Sequence, residues 1–298
     1  MNILVTGATG FVGRHFIPDL VSKYPDSKIM TINRDVKQAE KFYPYANCIH
    51  ISVDELDRID FFCPTIVYHL ASFISSRNDE EVISKILDAN IIWGVKLLNT
   101  LKKCSSLKLF VNIGTFAEYR MGASEINNAY FYSTTKTAFK QFVDYYSDLC
   151  GFKYIHIVPY TIYGGKDTQK KIIDYIYDSF FAIDPVKMTK GEQVLDFIHV
   201  KDVASFLSFI IFEINSFTNL PNGEVLHLGS GKGIKIRELA CLMEKAYNQK
   251  CNIDWGGLSY RDNDIMHAVA PIGKLLKLGW NPSYNLNNEI NRNARERV

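Results

Sequence analysis

Tyr132 and Lys136 stand four residues apart in Tyr132-Ser-Thr-Thr-Lys136, early in an amphipathic run from Phe131 to Cys150. On a helix that separation puts both side chains on one face. An ammonium beside a phenol favours phenolate and draws the tyrosine pKa from about 10 toward working pH. Such a tyrosine gives a proton to a carbonyl oxygen, or takes one from an alcohol, while a hydride moves from or to a nicotinamide. Spacing alone is weak evidence, because the chain has 17 tyrosines and the pattern recurs at Tyr24 and Lys28, where Pro25 breaks any helix. Thr115 strengthens the reading. It follows the apolar run Lys108–Ile113, from where a hydroxyl can hydrogen-bond the same oxygen.

Hydride chemistry needs a dinucleotide, and the N-terminus supplies a place for one. Val5-Thr6-Gly7-Ala8-Thr9-Gly10-Phe11-Val12-Gly13 lies between an apolar strand and an amphipathic helix. Gly7 allows the tight exit from the strand, Gly10 lets the backbone approach a pyrophosphate, and Gly13 permits close packing of helix on strand. The helix start then offers N–H groups and positive dipole to the phosphates. Gly7, Thr9, Gly10, Phe11, Val12 and Gly13 are therefore expected to hold the cofactor. A glycine-rich turn without a ligand is the plainer alternative, disfavoured by this strand–turn–helix setting. About 20 positions on, an acidic residue ordinarily binds an NAD ribose. Here Asn33 stands in its place and Arg34 follows. Losing the carboxylate removes repulsion toward a 2′-phosphate, and an arginine adds a bidentate partner for it. Arg14 is a second candidate. The pattern favours NADPH over NADH, against the bland reading of Arg34 as a solvated loop residue.

Positioning these groups calls for a regular scaffold. Apolar runs at Asn2–Thr6, Lys28–Asn33, Cys48–Val53, Thr65–Leu70, Lys108–Ile113 and Tyr154–Pro159 read as strands buried on both faces. Helical periodicity lies between them, over Phe11–Lys23, at Val82, Ile86, Ala89 and Trp93, and over Phe131–Cys150. This alternation predicts an α/β fold, a doubly wound parallel (Rossmann) sheet over residues 1–165. After about Gly165 the alternation is lost. A helix at Val203–Ile214, a strand at Val225–Leu228 and a helix at Ile236–Asn248 are expected. Residues 166–298 are read as mostly a smaller substrate-binding lobe, with segments near 192–230 returning to the first domain.

A net charge of +2, with 47% hydrophobic and 22% charged residues, fits an ordinary globular chain. No Lys/Arg stripe argues for nucleic acid. The six cysteines form no C-x-x-C pair, so reduced thiols in the cytoplasm are expected, with no metal site. No apolar run approaches the roughly 18 residues needed to span a bilayer, and no membrane partner is expected.

Taken together, these motifs resemble the extended short-chain dehydrogenase/reductase family, the nucleotide-sugar epimerases, dehydratases and ketoreductases. Thr6–Gly13 is similar to its cofactor turn, and His69-Leu70-Ala71-Ser72 to its H-L-A-A segment along the cofactor. Asn90 matches the family's helix Asn, and Asp54 the Asp that meets adenine. Gly114-Thr115-Phe116-Ala117-Glu118-Tyr119 stands for S-S-x-x-V-Y, which gives Thr115 the catalytic Ser/Thr role. Pro159-Tyr160-Thr161-Ile162-Tyr163-Gly164 is similar to P-x-N-V-Y-G, and Asp196–Val203 to D-F-I-H-V-x-D-V. Val158 and Leu195 replace arginines often found at their positions. The resemblance implies cofactor contacts from Leu70, Ala71, Ser72, Asn90, Asp54, Tyr132, Lys136 and Pro159.

Gly191-Glu192-Gln193, Arg261–Met266 and Leu278-Gly-Trp-Asn-Pro282 resemble the branch of CDP-abequose and CDP-paratose synthases, which reduce C4 of a CDP-linked 4-keto-6-deoxyglucose. By that resemblance Arg261 pairs with the sugar-nucleotide diphosphate, where its plain reading is a surface ion pair, and Thr115, Phe116 and Tyr132 face the sugar. The dehydratase relatives carry Asp-Glu after the Thr. Phe116 and Ala117 cannot transfer protons, and Glu118 stands one place late. An NADPH-dependent 4-ketoreductase is the expected function. A 4-epimerase retaining NAD is the alternative, and a non-catalytic dinucleotide-binding regulator a third reading, opposed by intact Thr115, Tyr132 and Lys136. A homodimer through helices at about 80–103 and 131–150 is implied by the resemblance.

Overall fold

The structure, a computed structural model, describes residues 1–296 apart from 78, 166 and 168. Among the described residues thirteen strands form: β1 (Asn2–Thr6), β2 (Lys28–Asn33), β3 (Cys48–Ser52), β4 (Ile66–His69), β5 (Leu109–Ile113), β6 (Lys153–Pro159), β7 (Thr161–Tyr163), β8 (Val186–Met188), β9 (Val194–His199), β10 (Glu224–Leu228), β11 (Gly233–Lys235), β12 (Ile253–Trp255) and β13 (His267–Ala268). Seven of them make one parallel sheet in the order β10-β6-β5-β4-β1-β2-β3. The Rossmann expectation is met, and the strand bounds read from the sequence agree to within a residue or so. Because β1 pairs with both β2 and β4, the winding reverses between β1 and β4, which opens a crevice at their C-terminal ends. The glycine turn and residues 70–72 border that crevice.

Both faces of the sheet are covered. Ile3, Val5 and Tyr68 pack with Phe16 and Leu20 on one side, together with Phe206 and Leu207. Leu4, Met30 and Val67 pack with Leu97, Phe139 and Val143 on the other. The flanking helices are α1 (Gly13–Lys23), α2 (Val36–Phe42), α3 (Arg58–Phe62), α4 (Glu80–Leu87), α5 (Trp93–Leu101) and α6 (Phe131–Cys150). Two helical expectations are adjusted. α1 begins at Gly13 rather than Phe11, because residues 11 and 12 complete the turn. Between α4 and α5 the chain widens into a π turn over Asp88–Ile92, with the Trp93 N–H reaching Asp88 O. A 3.6-residue periodicity has no means of signalling that extra residue.

The later chain adds α7 (Ile172–Ser179), α8 (Val200–Phe212), α9 (Ile214–Thr218), α10 (Ile236–Tyr247), α11 (Gly273–Lys277) and α12 (Leu286–Glu296). The helix expected at Val203–Ile214 starts three residues earlier because His199 caps it, its Nδ1 accepting from Lys201 N–H at 3.2 Å. Two smaller sheets, β11-β9-β13 with β7 on β9, and β12-β8, complete the fold. All six cysteines are free thiols. Among the described residues no helix is long and apolar enough to cross a membrane.

Two buried carboxylates tie these segments together. Asp196 accepts from Ser230 N–H (2.8 Å), Ser230 Oγ (2.6 Å), Gly231 N–H (2.9 Å) and Ala270 N–H (3.1 Å). Asp202 accepts from Ser283 N–H (3.0 Å), Ser283 Oγ (2.7 Å) and Tyr284 N–H (3.0 Å). Backbone donors at such sites have no water to turn to, so losing the acceptor carries the full cost of desolvation. Asp196→Ala is expected to destabilise the fold by about 3–5 kcal/mol in urea denaturation. A loss under about 1 kcal/mol contradicts this role.

Candidate active site

The glycine turn is fixed by contact. Gly7 has φ +69°, and a Cβ there would lie 2.6 Å from Ala71 N. A Cβ on Gly13 would lie 2.2 Å from Ala8 O, where helix meets strand. Gly10 is exposed at the crevice. The Thr6 hydroxyl accepts from Ala71 N–H at 3.1 Å and meets His69 Nδ1 at 3.0 Å, which pins the loop after β4 against the turn. α1 starts with no acidic residue in its first turn and no side-chain cap. Its N-terminus therefore keeps its positive end for an anionic group. Half-buried Arg14 lies in that turn, its charge acting on Tyr43 and His15.

At the end of β2, Asn33 is buried and donates from Nδ2 to Thr31 O (3.1 Å) and Thr31 Oγ1 (2.8 Å). Its Oδ1 is buried without a partner. An orphaned neutral acceptor at this corner fits a dinucleotide ribose. Arg34 is exposed beside it. Asp54 is exposed just past β3, whose Ser52 pairs in register with Asn33. The residues present thus fit a dinucleotide. Gly7 to Arg14 would meet its phosphates, and Asn33, Arg34 and Asp54 its adenosine half.

Tyr132 and Lys136 are both buried on the inner face of α6. Burial pushes the Tyr132 phenol up to about 12, with a hydrogen bond from the Ser72 side pulling the other way and the Glu118 charge adding to the rise. Burial also draws the Lys136 ammonium down to about 8, opposed by Glu118. The expectation that Lys136 lowers the tyrosine is corrected here, because desolvation outweighs the pair and disfavours charge on both groups. Ser72 is held by Asn90. Asn90 Oδ1 accepts from Phe73 N–H (2.8 Å) and Ser72 Oγ (3.3 Å), and Nδ2 donates to Phe73 O (3.1 Å) and Thr135 Oγ1 (3.2 Å). Thr135 Oγ in turn donates to Tyr132 O at 2.7 Å. Asn90 is thus buried beneath the loop, where it brackets Ser72 and Tyr132.

Thr115 ends the loop after β5. Its Oγ1 accepts from Ala117 N–H at 3.3 Å, which leaves its own O–H able to donate. Phe116 stacks on Tyr160 at 5.6 Å, and Ala117 is buried. Glu118 turns inward, accepting from Thr115 N–H (2.8 Å) and Thr137 Oγ (3.0 Å) and meeting His156 Nε2 at 3.3 Å. Pro159 closes β6 and pairs in register with Leu228. Arg261 lies 5.5 Å over the Tyr130 ring, at the start of α6, and is exposed. It borders a cavity of about 590 Å³ that Lys187, Gln193, Trp255 and Asp264 also line. Gln193 Nε2 donates to Asp264 Oδ2 at 3.3 Å. Spacing gave no signal for His156, Tyr130 or Trp255, and Glu118 and Asp264, though within quoted motifs, gave no sign of their partners, since each joins the site from a different element.

A sheet crevice bordered by a glycine turn, with a tyrosine and a lysine on a neighbouring helix, defines a Rossmann dinucleotide-binding protein. The model of the NAD dependent epimerase/dehydratase family matches residues 3–229. The chain belongs to that family. It is 27% identical over 294 residues to a CDP-abequose synthase of Salmonella typhimurium, covering 95% of this chain and 93% of that one. It is 23% identical over 267 residues to a CDP-abequose synthase of Yersinia pseudotuberculosis, covering 89% and 91%. In fold it is similar to a Bacillus cereus UDP-glucuronic acid 4-epimerase solved with UDP-4-deoxy-4-fluoro-glucuronic acid and NAD, with TM-score 0.87, 18% identity and both chains covered in full.

The Lys136 shift has a consequence for stability. Its folded value of about 8 lies below the ordinary 10.5. Between those values the unfolded chain binds more protons, so this group's contribution to stability rises with pH across that window and is lost as pH falls through 8. Lys136→Met is expected to raise unfolding free energy at pH 7 by about 3 kcal/mol, the gain fading toward pH 10.5. Denaturant midpoints measured over that range check it. A variant no more stable than the parent at pH 7 contradicts the burial cost.

Proposed function

We propose that this protein uses NADPH to reduce the C4 ketone of a nucleotide-linked 4-keto-6-deoxyhexose, with a CDP-linked sugar as the favoured substrate. The observation that carries the reading is the set of proton donors at the crevice. In this reading Tyr132 and Thr115 are the donors, while Phe116 and Ala117 fill the two positions after Thr115 and Glu118 is bonded inward. Neither position after Thr115 offers a carboxylate, so elimination of water across C5 and C6 lacks its acid and base there. The two CDP-abequose synthases that the chain resembles along most of its length support a nucleotide-sugar substrate.

When bound, the dinucleotide supplies the hydride. Tyr132, held protonated by its burial, donates its proton to the developing alkoxide at C4. The Thr115 hydroxyl donates a hydrogen bond to the same oxygen, and the Lys136 ammonium adds positive potential as negative charge builds there. Arg261 engages the diphosphate, and the neighbouring cavity takes the nucleoside end. Asn33 brings no negative charge against a 2′-phosphate, and Arg34 and Arg14 complement it. The reading carries with it a cytoplasmic homodimer. Leu87, Ile92, Phe142, Tyr145 and Leu149 are exposed apolar positions on the helices concerned.

Loss of reduced-cofactor absorbance with a panel of 4-keto-6-deoxy sugar nucleotides tests the reading. Turnover is expected with NADPH and a CDP-linked ketone. Interconversion of two sugar nucleotides by enzyme carrying bound NAD, without NADPH oxidation, sinks it in favour of a 4-epimerase. Tyr132→Phe is expected to keep cofactor binding while kcat falls at least about 100-fold; retained turnover removes Tyr132 from its role. Arg34→Ala is expected to raise KM for NADPH about tenfold while leaving KM for NADH nearly unchanged, the signature of lost uniform binding. An equal rise for both cofactors contradicts the assignment.

A further inference from the structure

Beneath Thr115 lies a polar chain that the reduction step does not use. Glu118, His156 and Asn112 are each 1% exposed or less, and they connect the Thr115 loop, β6 and β5. Asn112 Nδ2 lies 3.0 Å from His156 Nδ1. On the other side of the ring, Nε2 lies 3.3 Å from Glu118 Oε2 and can donate to it. Thr115 N–H supplies a further donor, and the Thr137 hydroxyl, 3.0 Å from both Glu118 Oε1 and Asn128 Oδ1, shares its one proton between them. Such donors favour the charged form of a buried carboxylate. The chain is also tightly fitted. A Cβ on Gly114 would lie 2.3 Å from Glu118 Oε2 and 2.4 Å from His156 Nε2, so only glycine lets the strand cross above the pair.

We propose that Glu118 is a positioning residue for hydride-transfer chemistry at this site. It anchors the Thr115 backbone and supplies the one buried negative charge of the Thr115 loop that faces Tyr132 and Lys136. The inference rests on the ketoreductase reading for its catalytic consequence only. The groups within its electrostatic reach are Tyr132 and Lys136 on α6, Tyr119 on its own turn, His156 on β6 and His227 on β10. Its charge opposes ionisation of the Tyr132 phenol and favours the Lys136 ammonium. Both effects set the site to begin a cycle with Tyr132 as donor and Lys136 charged. Burial pushes the carboxyl itself upward, yet the His156 hydrogen bond and charge, the Thr115 N–H and Thr137 together hold it below the ordinary range.

The test titrates Tyr132 directly, in protein labelled with carbon-13 at tyrosine Cζ, its resonance assigned by its loss in Tyr132→Phe. This reads the apoprotein without substrate, so it stands even if no sugar nucleotide turns over. Glu118→Gln is expected to lower the Tyr132 midpoint by about one pH unit. In turnover its alkaline limb of kcat is expected to move down by a similar amount, with KM within about twofold of the parent. An unmoved Tyr132 midpoint, or a kcat loss that is the same at every pH, overturns the proposal and leaves Glu118 a structural group. Should Glu118→Gln fail to fold, Thr137→Val keeps the carboxylate and removes one donor. The acid limb of kcat is then expected to move to higher pH, and an unchanged limb overturns the proposal equally.

Discussion

One amide holds the two halves of the site in register. Asn90, at the π turn between α4 and α5, bonds the backbone of Phe73 on both sides and reaches Ser72 and Thr135. The loop after β4 borders the dinucleotide crevice, and Thr135 belongs to the turn that carries Tyr132. Satisfying all of these groups at once requires the helix to open by one residue, which turns Asn90 inward between them. The Thr6 hydroxyl does the corresponding work on the other flank by fastening Ala71 to the glycine turn. The glycine turn and the turn of α6 that carries Tyr132 are thereby joined through one loop. A site assembled this way is preorganised by side chains that never touch the substrate.

What was legible in the sequence was whatever is local. The glycine turn, the six early strands and the Tyr132–Lys136 face follow from periods of two and 3.6 residues and from glycine placement. Asn90, Asp196 and Asp202 were visible as motif positions, but not what they do. Their partners lie 17, 34 and 81 positions away at Phe73, Ser230 and Ser283, and no spacing rule spans such gaps. Glu118 looked like a displaced base because the reading ran along the chain. In space it faces His156 on β6 and is buried. The tyrosine pKa was misjudged for a related reason. The sequence shows which charge stands nearby, whereas burial, which decides here, is a property of the packed molecule.

The charge pattern is what the proposed reduction draws on within the family scaffold. Acid–base elimination needs carboxylates that meet the sugar, and here the positions after Thr115 are an aromatic ring stacked on Tyr160 and a buried alanine. The remaining carboxylate is bonded below, where it acts on Tyr132 and Lys136 only through space. At the ribose corner a neutral amide with a free acceptor replaces a carboxylate, and a guanidinium stands exposed beside it. Each departure removes negative charge from where an anionic ligand or a developing alkoxide would sit. They are consistent with the proposed delivery of hydride and proton to a ketone.

That claim is tested most directly by following the hydride. The protein is incubated with NADPH carrying deuterium at the transferable position and a CDP-linked 4-keto-6-deoxyhexose, and the product sugar is read by mass and proton spectra. The account predicts one deuterium on C4 for each NADPH consumed, and none of it after Tyr132→Phe blocks turnover. A product that forms without deuterium, its C4 hydrogen coming from another sugar molecule or returning from the same one, contradicts it.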